Sequence, residues 1–65
     1  MDVKKFRVAM YVRGSNPDEL AEAIGCKRWA FNRKIREQTF RAREISTLAR
    51  VMSLTKDEFV DIFYH

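Results

Sequence analysis

The residues with the most chemical potential lie between positions 27 and 43. This stretch holds seven lysines and arginines against one glutamate, a net charge of +6, and stretches of net charge −3 and −2 flank it. Within it, side chains with several hydrogen-bond donors recur at spacings that place them on one helical face. They are Arg28, Asn32, Arg33 and Arg36, with Trp29 beside them. Such a face suits a polyanion, although charge alone leaves nucleic-acid binding and simple solubility as two open alternatives.

The remaining residue types offer little to an enzyme. The chain has one histidine, one cysteine and two glycines in 65 residues. This inventory excludes a histidine–cysteine metal cluster, a nucleophile paired with a base and a glycine-rich phosphate loop. Most of the acidic residues fall at or in the first turns of predicted helices, where capping accounts for them. We therefore predict a binding protein that has no catalytic residue, no metal and no cofactor.

Length and composition predict one domain, residues 1–65, with a compact core. A chain of this length buries about 60% of the surface that its unfolded form exposes, and 46% of its residues are apolar, including five Phe. The single cysteine, Cys26, favours a reducing compartment over a disulfide-bonded secreted protein. The longest apolar run, Val8 to Val12, is much shorter than the roughly 18 residues of a membrane span. We expect a cytoplasmic protein.

Turn residues and apolar spacing predict five helices, at about residues 2–13, 17–24, 28–36, 42–52 and 56–64, and an all-α fold. The first segment also alternates in hydrophobicity as a strand would. A helix that ends at Gly14 is preferred because no partner strand is visible elsewhere. The second helix begins with Asn16 as N-cap, followed by Pro17 and by Glu19 at the capping-box position.

The third helix is predicted to have an apolar face opposite its basic face. Two short helices that meet at Gly25 form the sequence pattern of a helix-turn-helix. Its inner faces are predicted to be Leu20, Ala21, Ile24, Phe31 and Ile35. The fourth helix repeats apolar residues at i, i+3, i+4 and i+7, and the fifth begins with a capping box formed by Thr55 and Glu58.

These segments resemble the phage repressor and Cro-type helix-turn-helix domains, which have five helices in lambda-repressor style. The segments that carry the resemblance are Glu19-Leu20-Ala21-Glu22-Ala23-Ile24-Gly25, Ala30-Phe31-Asn32-Arg33-Lys34-Ile35, Phe40 with Glu44-Ile45, and residues 54–63. Together they cover nearly the whole chain. The resemblance is specific because the first segment occurs together with the fourth and fifth helices at the spacing typical of the family.

The resemblance implies that the third helix enters the major groove of double-stranded DNA. The residues expected to face base edges are Arg28, Trp29, Asn32 and Arg33. Arginine can bind guanine O6 and N7 with two hydrogen bonds, and asparagine can bind adenine N6 and N7 in the same way. The residues expected to contact phosphates are Lys27, Arg36, Gln38, Thr39, Arg41 and Arg43.

A repressor or Cro-like regulator of transcription is the function that the resemblance implies. Two copies would bind operator half-sites about one helical turn apart, in the nucleoid of a bacterium or of a phage-infected cell. One short helix rarely buries a whole apolar stripe, so the remainder of the fifth helix is predicted to form a homodimer interface. The residues assigned to that interface are Phe59, Ile62, Phe63 and Tyr64.

Two departures from the family pattern concern the docking on DNA. Asn16-Pro17 stands where many members have Thr-Gln, and Lys27 stands where a Ser or Thr usually caps the third helix. The first of them, with the apolar fifth helix, also motivates a rival interpretation: a protein-interaction module, an antirepressor or antitoxin-like domain that binds another regulator. A third interpretation is non-specific coating of nucleic acid, which predicts equal affinity for any sequence.

Overall fold

The computed structural model describes residues 1–64, which form five helices and no strand. The helices are α1 (Val3–Val12), α2 (Pro17–Ile24), α3 (Arg28–Glu37), α4 (Ala42–Val51) and α5 (Lys56–Phe63). The predicted all-α class is confirmed for these residues, and each helix ends within one residue of its predicted bounds. The predicted domain extends to residue 65, which lies outside the described residues.

The first segment, which the sequence left between strand and helix, is helical. The Asp2 side chain accepts a hydrogen bond from the Lys5 backbone N–H at 3.0 Å and begins α1. Phe6 and Met10, four residues apart, are buried, whereas Val8, which lies between them, is exposed. Burial therefore follows the helical period rather than the alternation of a strand.

Side-chain hydrogen bonds begin α2 and α5 at the residues that the sequence predicts. Asn16 Oδ1 accepts from the Glu19 N–H at 2.9 Å, although the reciprocal bond from the Glu19 side chain is not formed within residues 1–64. At α5 both halves of the capping box are present, since Thr55 Oγ1 accepts from the Glu58 N–H at 3.1 Å and Glu58 Oε1 accepts from the Thr55 N–H at 2.9 Å.

One apolar core receives side chains from every helix. Its buried members are Phe6, Met10, Leu20, Ala21, Phe31, Ile35, Leu48, Met52 and Ile62. The rings of Phe6, Phe31 and Phe40 lie with centroids 5.6 to 6.4 Å apart, which is the spacing of tilted and edge-to-face aromatic pairs. α2 packs against both α3 and α4, and α1 packs against α5. No helix within residues 1–64 combines the length and the apolar character that a membrane crossing requires.

Ion pairs between helices support this packing at the surface. Lys5 Nζ lies 2.7 Å from Asp61 Oδ1, and Arg13 donates to Glu58, so two pairs join α1 to α5. Lys34 Nζ lies 3.1 Å from Glu44 Oε1 and joins α3 to α4. The core thus fixes α3 from beneath, and the pair with Glu44 fixes it at one side.

Candidate nucleic-acid interface

The turn between α2 and α3 sets the angle at which α3 leaves the domain. Gly25 ends α2 in the left-handed conformation, with φ of 79°, which costs glycine little because it has no Cβ. The Cys26 N–H then donates to the Ala21 carbonyl at 2.9 Å, and α3 begins at Arg28. Ala21 itself is buried, and its small side chain allows the two helices to approach closely. Residues 17–37 therefore form two short helices joined by a tight turn.

α3 presents two chemically different faces. Phe31 and Ile35 are completely buried in the core. On the other side Arg28, Trp29, Arg33 and Arg36 are exposed, and Asn32 is half-buried between the two faces; Trp29 is 66% exposed. From residue 28 to residue 36 a helix rises about 12 Å, similar to the width of the DNA major groove. The exposure of these side chains means that residues 1–64 leave this side of α3 uncovered.

The two arginines predicted to face base edges each have a carboxylate nearby. Arg28 Nη1 lies 3.5 Å from Asp18 Oδ2, across the turn between α2 and α3. Arg33 Nε lies 3.2 Å from Glu37 Oε2, one turn further along α3. All four side chains are largely exposed, so solvent screens both pairs and neither guanidinium is strongly held.

The residues predicted to contact phosphates surround α3 at both of its ends. Lys27 precedes the helix, Arg36 lies in its last turn, and the others follow it through the loop into the first turn of α4. All of them are exposed, namely Lys27, Arg36, Gln38, Thr39, Arg41 and Arg43. The four cations of this set form no ion pair within residues 1–64. Gln38 Oε1 accepts a long hydrogen bond, 3.4 Å, from the N-terminal amine of Met1.

Lys34 belongs to the basic stretch but not to the exposed face. Its ammonium lies 3.1 Å from both carboxylate oxygens of Glu44, and both side chains are mostly buried. Burial raises the pKa of Glu44, but the hydrogen bonds from the Arg41 N–H and from Lys34 outweigh it and leave that pKa below its usual value. Charge counting along the sequence therefore overstates the exposed positive charge of this region by one residue.

Sequence reasoning missed the carboxylate partners of the basic face. The spacing of Arg33 and Glu37, four residues apart on a helix, was a usable signal for their pair. For Asp18 with Arg28, and for Glu44 with Lys34, the partners are ten residues apart on different helices. No local rule connects such positions.

The predicted dimerisation patch is only partly exposed. The assignment of Ile62 to the patch is corrected, because Ile62 is a core residue with 3% exposure. It lies on the side of α5 that packs against α1. Phe59 and Phe63 are half-buried, with ring centroids 5.2 Å apart. Tyr64 remains exposed, as does Val60, which the sequence had not assigned to the patch.

Apart from Trp29 on α3, the most exposed apolar side chains outside α5 lie on α1 and were not predicted. They are Val8, Tyr11 and Val12. Their spacing of three and four residues was the signal that could have found them, since it places them along one side of α1. Val8 and Val12 line a groove between α1 and α5.

No group of three or more His, Cys, Asp or Glu side chains within residues 1–64 could hold a metal ion. Cys26 is half-buried, and burial raises the pKa of its thiol. Comparison with family models, with curated proteins and with solved structures finds no match for this chain.

Proposed function

We propose that this chain is a sequence-specific double-stranded DNA-binding protein that regulates transcription, of the phage repressor or Cro type, with α3 in the major groove. The observation that carries the proposal is the two-sided α3. Its inner side chains Phe31 and Ile35 are fully buried, and its outer side is exposed and basic. An exposed basic helix anchored in the core by its inner side chains suits the dimensions and the charge of the groove.

The side chains on that surface have the hydrogen-bonding geometry for base edges. Arg28 and Arg33 can each donate two hydrogen bonds to guanine, and Asn32 can pair with adenine. The half-buried position of Asn32 restricts its rotamers, which favours a single bonding geometry. Trp29 is exposed and can contact a thymine methyl group or a sugar.

Exposed cations at both ends of α3 supply the attraction to the phosphate backbone. Lys27 lies before the helix, whereas Arg36, Arg41 and Arg43 lie at its end and in the following turn. Contacts to phosphates on both sides of a groove fix the register of the helix without reading sequence. If each of these four cations contacts one phosphate, log affinity falls by about 3.6 per unit of log salt for each copy, at about 0.9 per contact.

As part of the same proposal, two copies bind half-sites about one helical turn apart and block a promoter. The exposed apolar side chains near the end of α5, Val60 and Tyr64, support contact with a second copy. Phe59 and Phe63, half-buried beneath them, contribute their outer edges.

The proposal is tested by selecting binding sites from random duplex DNA and then measuring affinity for the selected site. We expect Asn32→Ala combined with Arg33→Ala to weaken binding to the selected site by at least about tenfold, since each good base contact gives about 1–3 kcal/mol of discrimination. Arg7→Ala is the matched control: it removes an exposed arginine from α1, away from α3, and leaves this affinity unchanged.

Three results would overturn the proposal. Selection without enrichment of any sequence would favour non-specific coating. An enriched site whose affinity is unaffected by the double substitution would remove α3 as the reading element. A chain that binds no DNA but captures another regulator would favour the protein-interaction module, for which the exposed apolar side of α1 provides a surface.

A further inference from the structure

The cations around α3 divide into two groups by their ionic partners. The arginines on the outer side of the helix, Arg28 and Arg33, each face a carboxylate, from Asp18 and Glu37 respectively. The cations at the ends of α3 and in the loop after it form no ion pair within residues 1–64. Lys34 is set apart by its mostly buried pair with Glu44. Among the exposed cations of α3 and of the loop after it, within residues 1–64, an ion pair with a carboxylate is formed only by the two arginines that the proposed function assigns to base edges.

Helix stability does not explain the position of Glu37. It lies in the last turn of α3, where the negative end of the helix dipole disfavours a carboxylate. In its pair with Arg33 the cation precedes the anion by four residues, the less favourable order on a helix. Both partners are also largely exposed, and exposed pairs contribute little to stability.

Asp18 differs from Glu37 because helix stability explains part of its position. It lies in the first turn of α2, where the positive end of the dipole favours a carboxylate. Glu19 occupies the same turn and has the same dipole interaction, yet only Asp18 lies near a cation of α3. The feature that distinguishes the two is therefore the distance of 3.5 Å to Arg28.

We propose that Asp18 and Glu37 are specificity-determining residues, which compete with phosphates for Arg28 and Arg33 and so favour base edges that accept two hydrogen bonds. This inference rests on the proposed function. To contact a phosphate of an arbitrary duplex, each arginine would have to exchange its carboxylate for that single phosphate, and the nearby carboxylate would repel the phosphate. On the correct sequence, a guanine edge replaces the carboxylate with two hydrogen bonds at a greater distance from the backbone. Specificity then arises because contact of these arginines with phosphates is made less favourable than contact with a guanine edge.

The test compares Asp18→Asn and Glu37→Gln with wild type on the selected site and on a scrambled duplex. Glu19→Gln controls for the dipole at α2, and Glu22→Gln, which removes an exposed carboxylate that forms no ion pair within residues 1–64, controls for net charge. We expect each of the first two variants to bind the scrambled duplex about two- to fivefold more tightly than its control, the range set by exposed ion pairs. Affinity for the selected site should rise less, so the ratio of the two affinities falls.

The salt dependence supplies a second readout. An arginine released to a phosphate should steepen the slope for the scrambled duplex by about 0.9, whereas the controls should leave it at the wild-type value. Thermal unfolding of each variant shows that the fold is retained. Equal affinity ratios for the variants and their controls would overturn this inference and leave the proposed function standing. Absence of any preferred sequence for the wild type would overturn both.

Discussion

Gln38 adopts a backbone conformation that is unfavourable for a residue with a Cβ. It ends α3 with φ of 55°, in the left-handed region. Its N–H donates to the Ile35 carbonyl at 3.3 Å, and the Thr39 N–H donates to the Lys34 carbonyl at 3.1 Å. This hydrogen-bonding pattern usually has glycine at that position, because a Cβ there lies too close to the backbone.

Gln38→Gly should therefore stabilise the domain by about 1 kcal/mol, since removal of the Cβ relieves a strain of about 1–2 kcal/mol while the unfolded chain gains some entropy. Chemical denaturation at neutral pH measures the change. Gln38→Ala is the control, because it removes the same amide group but keeps the Cβ. Equal stabilities of the Gly and Ala variants would show that the left-handed conformation is not strained.

Glu58 is the side chain whose ionisation depends most on folding. The hydrogen bond from Arg13 lowers its pKa first, and the Thr55 backbone N–H lowers it further, to about 2. The ordinary value is 4.5. In the unfolded chain the carboxyl therefore binds its proton at a higher pH than in the folded chain. Its contribution to stability is complete above about pH 4.5 and is lost as the pH falls toward 2.

Glu58→Gln should make the domain less stable at neutral pH, and the difference from wild type should shrink as the pH is lowered from 4.5 to 2. Denaturation curves for both proteins at several pH values between 2 and 7 provide the measurement. Asp57→Asn, at the neighbouring position of the same helix, is the control. A difference between Glu58→Gln and wild type that stays constant over this range would contradict the pKa of Glu58.

At the scale of the helix, the N-termini fall into two classes. α2 and α5 begin with Asn16 and Thr55, whose side chains accept a backbone hydrogen bond. α3 and α4 begin after Lys27 and Arg41, whose side chains have no acceptor for such a bond. Positive side chains at the positive ends of helix dipoles lower stability but attract anions. The two helices that border the candidate interface are therefore the two with cationic N-caps.

Lys27→Ser should raise stability and weaken DNA binding together. The serine hydroxyl can accept a hydrogen bond in the first turn of α3, which contributes about 1 kcal/mol, whereas loss of one phosphate contact lowers the salt slope by about 0.9. Denaturation and a salt titration on the selected site measure the two effects. Lys27→Ala separates them, because it removes the cation without adding a cap. An unchanged salt slope in both variants would exclude Lys27 from the phosphate contacts.

At the scale of the whole molecule, the basic and the apolar surfaces belong to different parts of the fold. α3 packs against α2, and the loop that follows leads into α4, so the cations of the candidate interface lie on that side. α1 packs against α5, and these two helices carry Val8, Val12, Val60 and Tyr64 as exposed apolar side chains. Contact with a second copy through α5 would leave α3 uncovered.

Val60→Lys should weaken binding to DNA with two half-sites by about tenfold or more, a loss of about 1.4 kcal/mol, because a charge replaces an apolar side chain in the proposed contact. Affinity for a single half-site should be unchanged. Val51→Lys makes the same replacement at an exposed position of α4 and is the control. Sedimentation of the protein–DNA complexes counts the copies bound. Equal losses on one and two half-sites would argue against the α5 contact.

The number, the class and the bounds of the helices could be predicted from the sequence because their signals are local. Asn16, Gly25 and the pair Thr55–Glu58 act through hydrogen bonds within one helical turn. The apolar spacing of α3 separates its buried side from its exposed side for the same reason. The composition of the basic face was thus readable without coordinates, and its role in binding DNA stays a proposal.

Only the tertiary structure decided which of the charged and apolar side chains remain available. Lys34 is paired with Glu44, ten residues away on another helix, and so is not available on the exposed face. Ile62 is buried where α5 meets α1. The carboxylate of Asp18 reaches Arg28 because the turn at Gly25 folds α2 against α3. These outcomes depend on distances between separate helices. Periodicity within one helix specifies which side is apolar, but not which neighbour covers it.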